Sequence, residues 1–181
     1  MLSYKLSIRK MERADIPYLV TWGQNHSHIK GFHGYLPKNS NEGTKWYQRS
    51  LLDKSRDDYM IYVFEEDGKT YPIGMLGLVN IDDANRKGEY YVLIGNEEFL
   101  HRGIAYRTSN EMIKNTYFKN YDFIKVYSCI DKDNYPAQKL AEKLGFRKEG
   151  IMLSDIVLEN GTTVDRIYYG LLATDKMQDK Q

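Results

Sequence analysis

One cysteine, four prolines and no long apolar run limit this 181-residue chain before any motif is read. A lone thiol, Cys129, excludes an internal disulfide and fits a reducing cytoplasm. No stretch approaches the roughly 18 apolar residues of a membrane span. Met1 to Lys10 is too poor in apolar residues for a signal peptide. The expectation is a cytoplasmic protein with no membrane association. A net charge of +1 without any basic run gives no electrostatic case for nucleic acid. No internal repeat, low-complexity segment or Pro/Gly-rich linker divides the chain. One domain over 1–175 with a short tail, 176–181, is therefore expected.

What is present begins with sixteen tyrosines. Composition leaves two readings open, an AT-rich genome or a cleft lined with hydroxyls. Three of the four histidines, His26, His28 and His33, fall in a polar-aromatic loop from Asn25 to Asn41. None has a cysteine or carboxylate at metal-ligand spacing, so no metal is expected. Cys129, in the run Val-Tyr-Ser-Cys-Ile, is expected in the core.

Periodicity gives the order β-α-α-β-β-β-α-β-α-β-β. Leu6 to Lys10 reads as a strand, Arg13 to Asn25 and Asn41 or Glu42 to Asp53 as helices. Three strands follow, Tyr59 to Glu65, Ile73 to Ile81 and Gly88 to Ile94. The first turns at Glu66-Asp67-Gly68-Lys69. A helix from Gly103 to Lys119, a strand from Phe123 to Ile130 and a helix from Asn134 to Leu144 come next, the last closed by Gly145. Phe146 to Glu159 and Thr163 to Leu172 pair across Asn160-Gly161. This is an α/β (α+β) fold with a mixed, mostly antiparallel sheet flanked by helices, not a doubly wound one.

The most informative stretch is Asn96 to Tyr117. A strand enters a short loop, and the loop opens a helix with Gly103 and Ala105 in its first turn. Small residues allow a ligand to approach the backbone. Unpaired amides and the positive dipole end favour an anion such as a pyrophosphate. His101, Arg102 and Arg107 add basic groups. The same pattern also suits a plain surface helix.

The order and spacing of these blocks resemble the GCN5-related N-acetyltransferases (GNAT), within them the branch holding Rim-type and spermidine acetyltransferases. The family's phosphate loop, Gln/Arg-x-x-Gly-x-Gly/Ala, aligns with Leu100-His101-Arg102-Gly103-Ile104-Ala105. Asn134 through Leu144-Gly145-Phe146 aligns with a second block, and the final hairpin also fits. The resemblance implies acetyl-CoA as co-substrate, its pyrophosphate on the amides of Arg102 to Tyr106 and its pantetheine arm along Val92, Leu93 and Ile94. Asn134 would contact its other side. There are two departures: Leu100 stands where Gln or Arg is usual, and Ala137 and Ala141 replace the residues that would protonate the leaving thiolate.

Glu89, at the start of the strand flanking the thioester, is the candidate general base. Alignment from Gly103 instead puts Tyr90 at that place. Asp155 is a second carboxylate for the acceptor cleft, and Phe32 and Tyr35 belong to the loop where the family builds its acceptor pocket. The acceptor would be a primary amine: a protein N-terminus, a polyamine, an amino sugar or an aminoglycoside. Trp22 to Trp46 contains only Glu42 as a carboxylate, which argues against polyamines. A non-catalytic acyl-CoA-binding module is the rival reading. A homodimer stays open, dimers being common among chains of this resemblance.

Overall fold

A computed structural model describes residues 4–25, 29, 31–33 and 36–175. His26, His28, Tyr35 and the tail expected at 176–181 lie outside the described residues. Seven strands form one sheet in the order β1-β2-β3-β4-β5-β7-β6. They are β1 (Tyr4–Lys10), β2 (Asp57–Glu65), β3 (Thr70–Asp82), β4 (Lys87–Ile94), β5 (Lys125–Asp131), β6 (Arg147–Val157) and β7 (Thr163–Leu172). The recorded pairings are antiparallel except β4 with β5, whose parallel register runs from Lys87↔Lys125 to Glu89↔Tyr127. The element order is the one periodicity gives, so the mixed, mostly antiparallel architecture stands.

Contacts divide the chain into two units, 1–79 with 91–108, and 80–90 with 109–181. In the first, α1 (Ile16–Gln24) and α2 (Ser40–Ser50) accompany β1 to β3. Pro17 occupies the first turn of α1, where its missing N–H costs nothing. Leu19, Trp22, Trp46, Met60, Met75 and Leu93 pack into one buried cluster. Gly23 is required by a close approach, since a Cβ there would lie 2.4 Å from the Pro37 carbonyl oxygen. Asn39 caps α2 by accepting from Glu42 N–H at 3.0 Å, and Glu42 returns the contact to Lys38 N–H. A buried ionic knot secures β1: Arg9 holds Asp15 with two bonds of 2.9 and 2.8 Å, and Tyr62 donates to Asp15 at 2.5 Å.

In the second unit, α4 (Tyr135–Leu144) is capped by Asn134, which accepts from Ala137 N–H at 3.3 Å, and is ended by left-handed Gly145. The long helix expected from Gly103 to Lys119 is two structures. α3 covers Ile104–Glu111, and a π-helix covers Met112–Asn120. Met112, Ile113 and Tyr117 are buried, and Tyr117 stacks on Phe123 at 6.4 Å. The wider coil fits these bulky residues, a variation that apolar periodicity at α-helical spacing does not show. The final hairpin turns at Asn160-Gly161 as expected, with Gly161 N–H donating to Leu158 at 2.9 Å.

Candidate functional site

The first unit carries the loop that stood out in the sequence. The end of β4 is irregular: Gly95 and Asn96 both donate to the Ile73 carbonyl, at 2.9 and 3.0 Å. Two residues opposing one bend a strand and raise its twist, a device common beside active sites. A short 3₁₀ turn, Glu97–Phe99, capped by Asn96, leads into the loop. His101 and Gly103 both take left-handed backbone, φ 59° and 73°, so the chain folds sharply around Arg102. A Cβ on Gly103 would meet nothing within 4 Å. Glycine is therefore required by the backbone angle, and the space over the loop is open.

α3 begins immediately after, at Ile104, and Arg107 N–H donating to Gly103 is its first backbone bond. The amides of Ile104 and Ala105 precede that bond and have no carbonyl one turn back. Ile104 and Thr108 are buried and anchor the helix. His101, Arg102 and Arg107 are exposed, and the Arg102 guanidinium lies 5.0 Å from the Phe99 ring. Leu93 and Ile94 are buried, while Val92, Leu100, Ala105 and Tyr106 are half-buried.

Phe32 makes an edge contact with Tyr91 at 5.8 Å. Tyr91 in turn donates to Asp58 at 2.6 Å, and Asp58 takes two bonds from Arg56, at 2.6 and 2.9 Å. Arg56 lies over the Trp46 ring at 4.8 Å. Sequence reasoning missed this part-buried network, whose members come from α2, the start of β2, β4 and the stretch around Phe32. A separate hollow of about 500 Å³ is lined by Tyr18, Trp22, Tyr71, Asn96 and Glu97 among others, and includes none of the proposed catalytic, cofactor-binding or substrate-binding residues.

The second unit carries the carboxylates. Strand alternation puts Glu89, Tyr127, Cys129, Arg166 and Tyr168 on one sheet face. On the other face Tyr90 is buried and donates to Ser109 Oγ at 2.8 Å. Of the two alignments, only Glu89 reaches the half-open face. Its Oε2 accepts from Asn80 at 2.8 Å, and its Oε1 lies 3.7 Å from Arg166 Nη1. Arg166 Nε makes a shorter bond, 2.5 Å, to Asp155.

Asp155 gets there through an irregularity. The register passes from Met152↔Arg166 to Ile156↔Val164, so β6 spends two more residues than β7 over this span. Ser154 is left-handed at φ 51°, and its N–H donates to Asp165 at 2.9 Å. The bulge turns Asp155 onto Arg166. Glu89 and Asp155, nominated separately, are thus joined by an arginine that no local sequence signal marked.

Cys129 is a correction. It is half-exposed on the Glu89 face, because Val126 and Ile130 take the buried side of β5. Its thiol is pushed up to about 12, first by burial and then by the Glu89 charge. It is therefore a poor nucleophile. Tyr127, stacked on Tyr168 at 4.9 Å, is likewise pushed up to about 12, by burial and then Glu89. Asn134 spends its oxygen on the α4 cap, and Ala137 and Ala141 bring no hydroxyl to that helix. Among the described residues no group of three or more His, Cys, Asp or Glu could hold a metal, and no helix is long and apolar enough to cross a membrane.

Comparison with known proteins assigns the family. The model described as the acetyltransferase (GNAT) domain matches residues 5–147. The chain is 24% identical over 156 residues to the spermidine N(1)-acetyltransferase of Escherichia coli (strain K12), covering 86% of this chain and 80% of that one. It is 27% identical over 137 residues to the SPbeta prophage-derived uncharacterized N-acetyltransferase YokL of Bacillus subtilis (strain 168), covering 76% and 73%. Its fold is similar to the crystal structure of the Vibrio cholerae spermidine N-acetyltransferase in complex with CoA and spermine, with a TM-score of 0.80 at 21% identity over 93% of this chain and 95% of that one. With the family model matching most of the chain and the fold agreeing, this protein belongs to the GNAT acetyltransferases.

Proposed function

We propose that the protein transfers an acetyl group from acetyl-CoA to a primary amine, either a small molecule or a protein N-terminus. The observation that carries this is left-handed Gly103 opening α3 beneath unobstructed space. Such a loop offers backbone donors and a positive dipole end to a pyrophosphate. His101 and Arg102 flank it, and Val92 to Ile94 would border the pantetheine arm. CoA in the complex of the Vibrio cholerae enzyme supports the donor, and the spermidine N(1)-acetyltransferase relative supports an amine acceptor.

An ammonium has no lone pair, so the acceptor must lose a proton before or during attack. Glu89 is the group proposed to take it, directly or through one water. The amine nitrogen bonds to the acetyl carbon as the carbon–sulfur bond breaks. One ammonium proton goes to Glu89 as the free amine forms, and the second leaves the nitrogen to water as the CoA sulfur departs with the bonding electrons. Ala137 and Ala141 offer no acid, so the thiolate is protonated by the water that accepts the nitrogen's second proton. Holding both reactants in register supplies much of the remaining acceleration.

The test is an acetylation screen across N-terminal peptides, polyamines, amino sugars and aminoglycosides, read as CoA release. Sustained turnover with at least one class supports the reading. Tight acetyl-CoA binding with no turnover on any of them would favour a non-catalytic binding module.

A further inference from the structure

We propose that Arg166 sets the charge of the acceptor, acting as a built-in cation on the carboxylates that a polyamine would otherwise occupy. The inference rests on the reading of Glu89 as the acceptor-side base and names the substrate class that reading leaves open.

The side chains of Glu89, Asp155 and Arg166 are 15%, 26% and 17% exposed, so all three are largely removed from water yet reachable. Arg166 lies 2.5 Å from Asp155 and 3.7 Å from Glu89. The three groups in contact carry one net negative charge, enough for the single ammonium that is to react. A site that takes a polyamine must balance two or three ammonium groups at once. Without Arg166 the same carboxylates would offer two charges to a polycation. With it, a second ammonium meets a fixed guanidinium instead, and like charges at close range repel.

Geometry makes the arrangement more than a surface ion pair. Asp155 holds Arg166 by Nε, which leaves Nη1 beside Glu89 without seating it on the carboxylate. The Asn80 side chain takes the second Glu89 oxygen at 2.8 Å. Glu89 is therefore positioned on one side by a neutral donor and faced on the other by a cation held at arm's length. The β6 bulge and Ser154 fix Asp155 in this role. Elsewhere, Glu42 is the only carboxylate between Trp22 and Trp46, and it is engaged by Lys38 N–H and Asn39 at the start of α2.

The experiment compares wild type, Arg166→Met and Arg166→Lys. Two quantities are read: spermidine affinity of the CoA-loaded protein by calorimetry, and the ratio of kcat/KM for spermidine to that for butylamine, a singly charged analogue. Arg166→Met should raise both by about tenfold, the scale of one partly desolvated charge contact. Arg166→Lys keeps the cation and should stay near the wild-type ratio, which a merely structural role would not predict. Arg166→Gln, which retains a donor for Asp155, replaces the Met variant if that protein is unstable. Unchanged spermidine affinity in a folded Arg166→Met or Arg166→Gln protein overturns the proposal. Glu89→Gln is assayed in parallel with butylamine. If it turns over like wild type the base reading fails, and if it is impaired while Arg166 variants keep their preference only the present inference fails.

Discussion

Tyr90 donates its hydroxyl to Ser109 Oγ at 2.8 Å with both side chains buried, and this bond sets which way β4 faces. Alternation then assigns the opposite, half-open face to Glu89. Glu89→Gln should lower kcat by about a hundredfold, the usual scale for loss of a general base. The loss should be greatest at pH values where the acceptor amine is still protonated and recede as the amine loses its own proton. A pH–rate profile of the same shape as wild type would remove Glu89 from the chemistry.

Gly103 is the second point of attack. Gly103→Glu places a long, negatively charged side chain at φ 73° in the loop proposed to hold the pyrophosphate. Acetyl-CoA affinity should fall by about a hundredfold or more, because a like charge replaces open space at a helix N-terminus. The far-UV spectrum should stay close to wild type, since a Cβ at this position meets nothing within 4 Å and the strain of the left-handed angle falls on one loop residue outside α3. Calorimetric affinity equal to wild type would end the cofactor assignment.

Cys129 should be a reluctant thiol. Raised from its ordinary 9.0 to about 12, it stays protonated in the folded protein where a free cysteine ionises. Alkylation by iodoacetamide at pH 8 should run on the order of thirtyfold slower than that of a cysteine peptide, lost thiolate being partly offset by its greater basicity. The folded state holds this proton more tightly than the unfolded chain. The stability it contributes is complete below pH 9.0 and is lost as pH rises toward about 12. A labelling rate equal to the peptide's would contradict the packing of β5.

Asp15 gives a stability test remote from the chemistry. Its carboxylate is fully buried, held by two bonds from Arg9 and one from Tyr62. Asp15→Asn leaves a guanidinium short of its counter-charge and should cost about 2 kcal/mol in urea unfolding. A midpoint unchanged from wild type would show that the knot contributes nothing net.

Local signals made much of the fold legible. Asn160-Gly161 could only turn a hairpin, Gly145 could end α4 because it alone tolerates φ 95° there, and Gly103 marked the loop before α3. What the sequence hid depends on partners far apart along the chain. Arg166 has no pattern around it, and its partners Glu89 and Asp155 come from other strands. Asp155 read as one position of an alternating strand, and the bulge breaks that alternation. The π-helix was invisible because its residues are as apolar and as regularly spaced as those of an α-helix. Cys129 was misplaced for a related reason: an apolar run marks a strand, but only register decides which of its faces is buried.

The β6 bulge has a consequence outside catalysis. β6 ends the sheet order, and Ile151, Leu153 and Val157 on it are 47%, 76% and 71% exposed. A straight edge with such side chains would offer a template on which strands of other molecules could add. The break between Met152 and Ile156, with Ser154 folded into left-handed backbone, interrupts that template in its middle. The same two-residue irregularity that aims a carboxylate thus breaks the continuity of an exposed edge, and straightening it should be felt first as aggregation at high concentration.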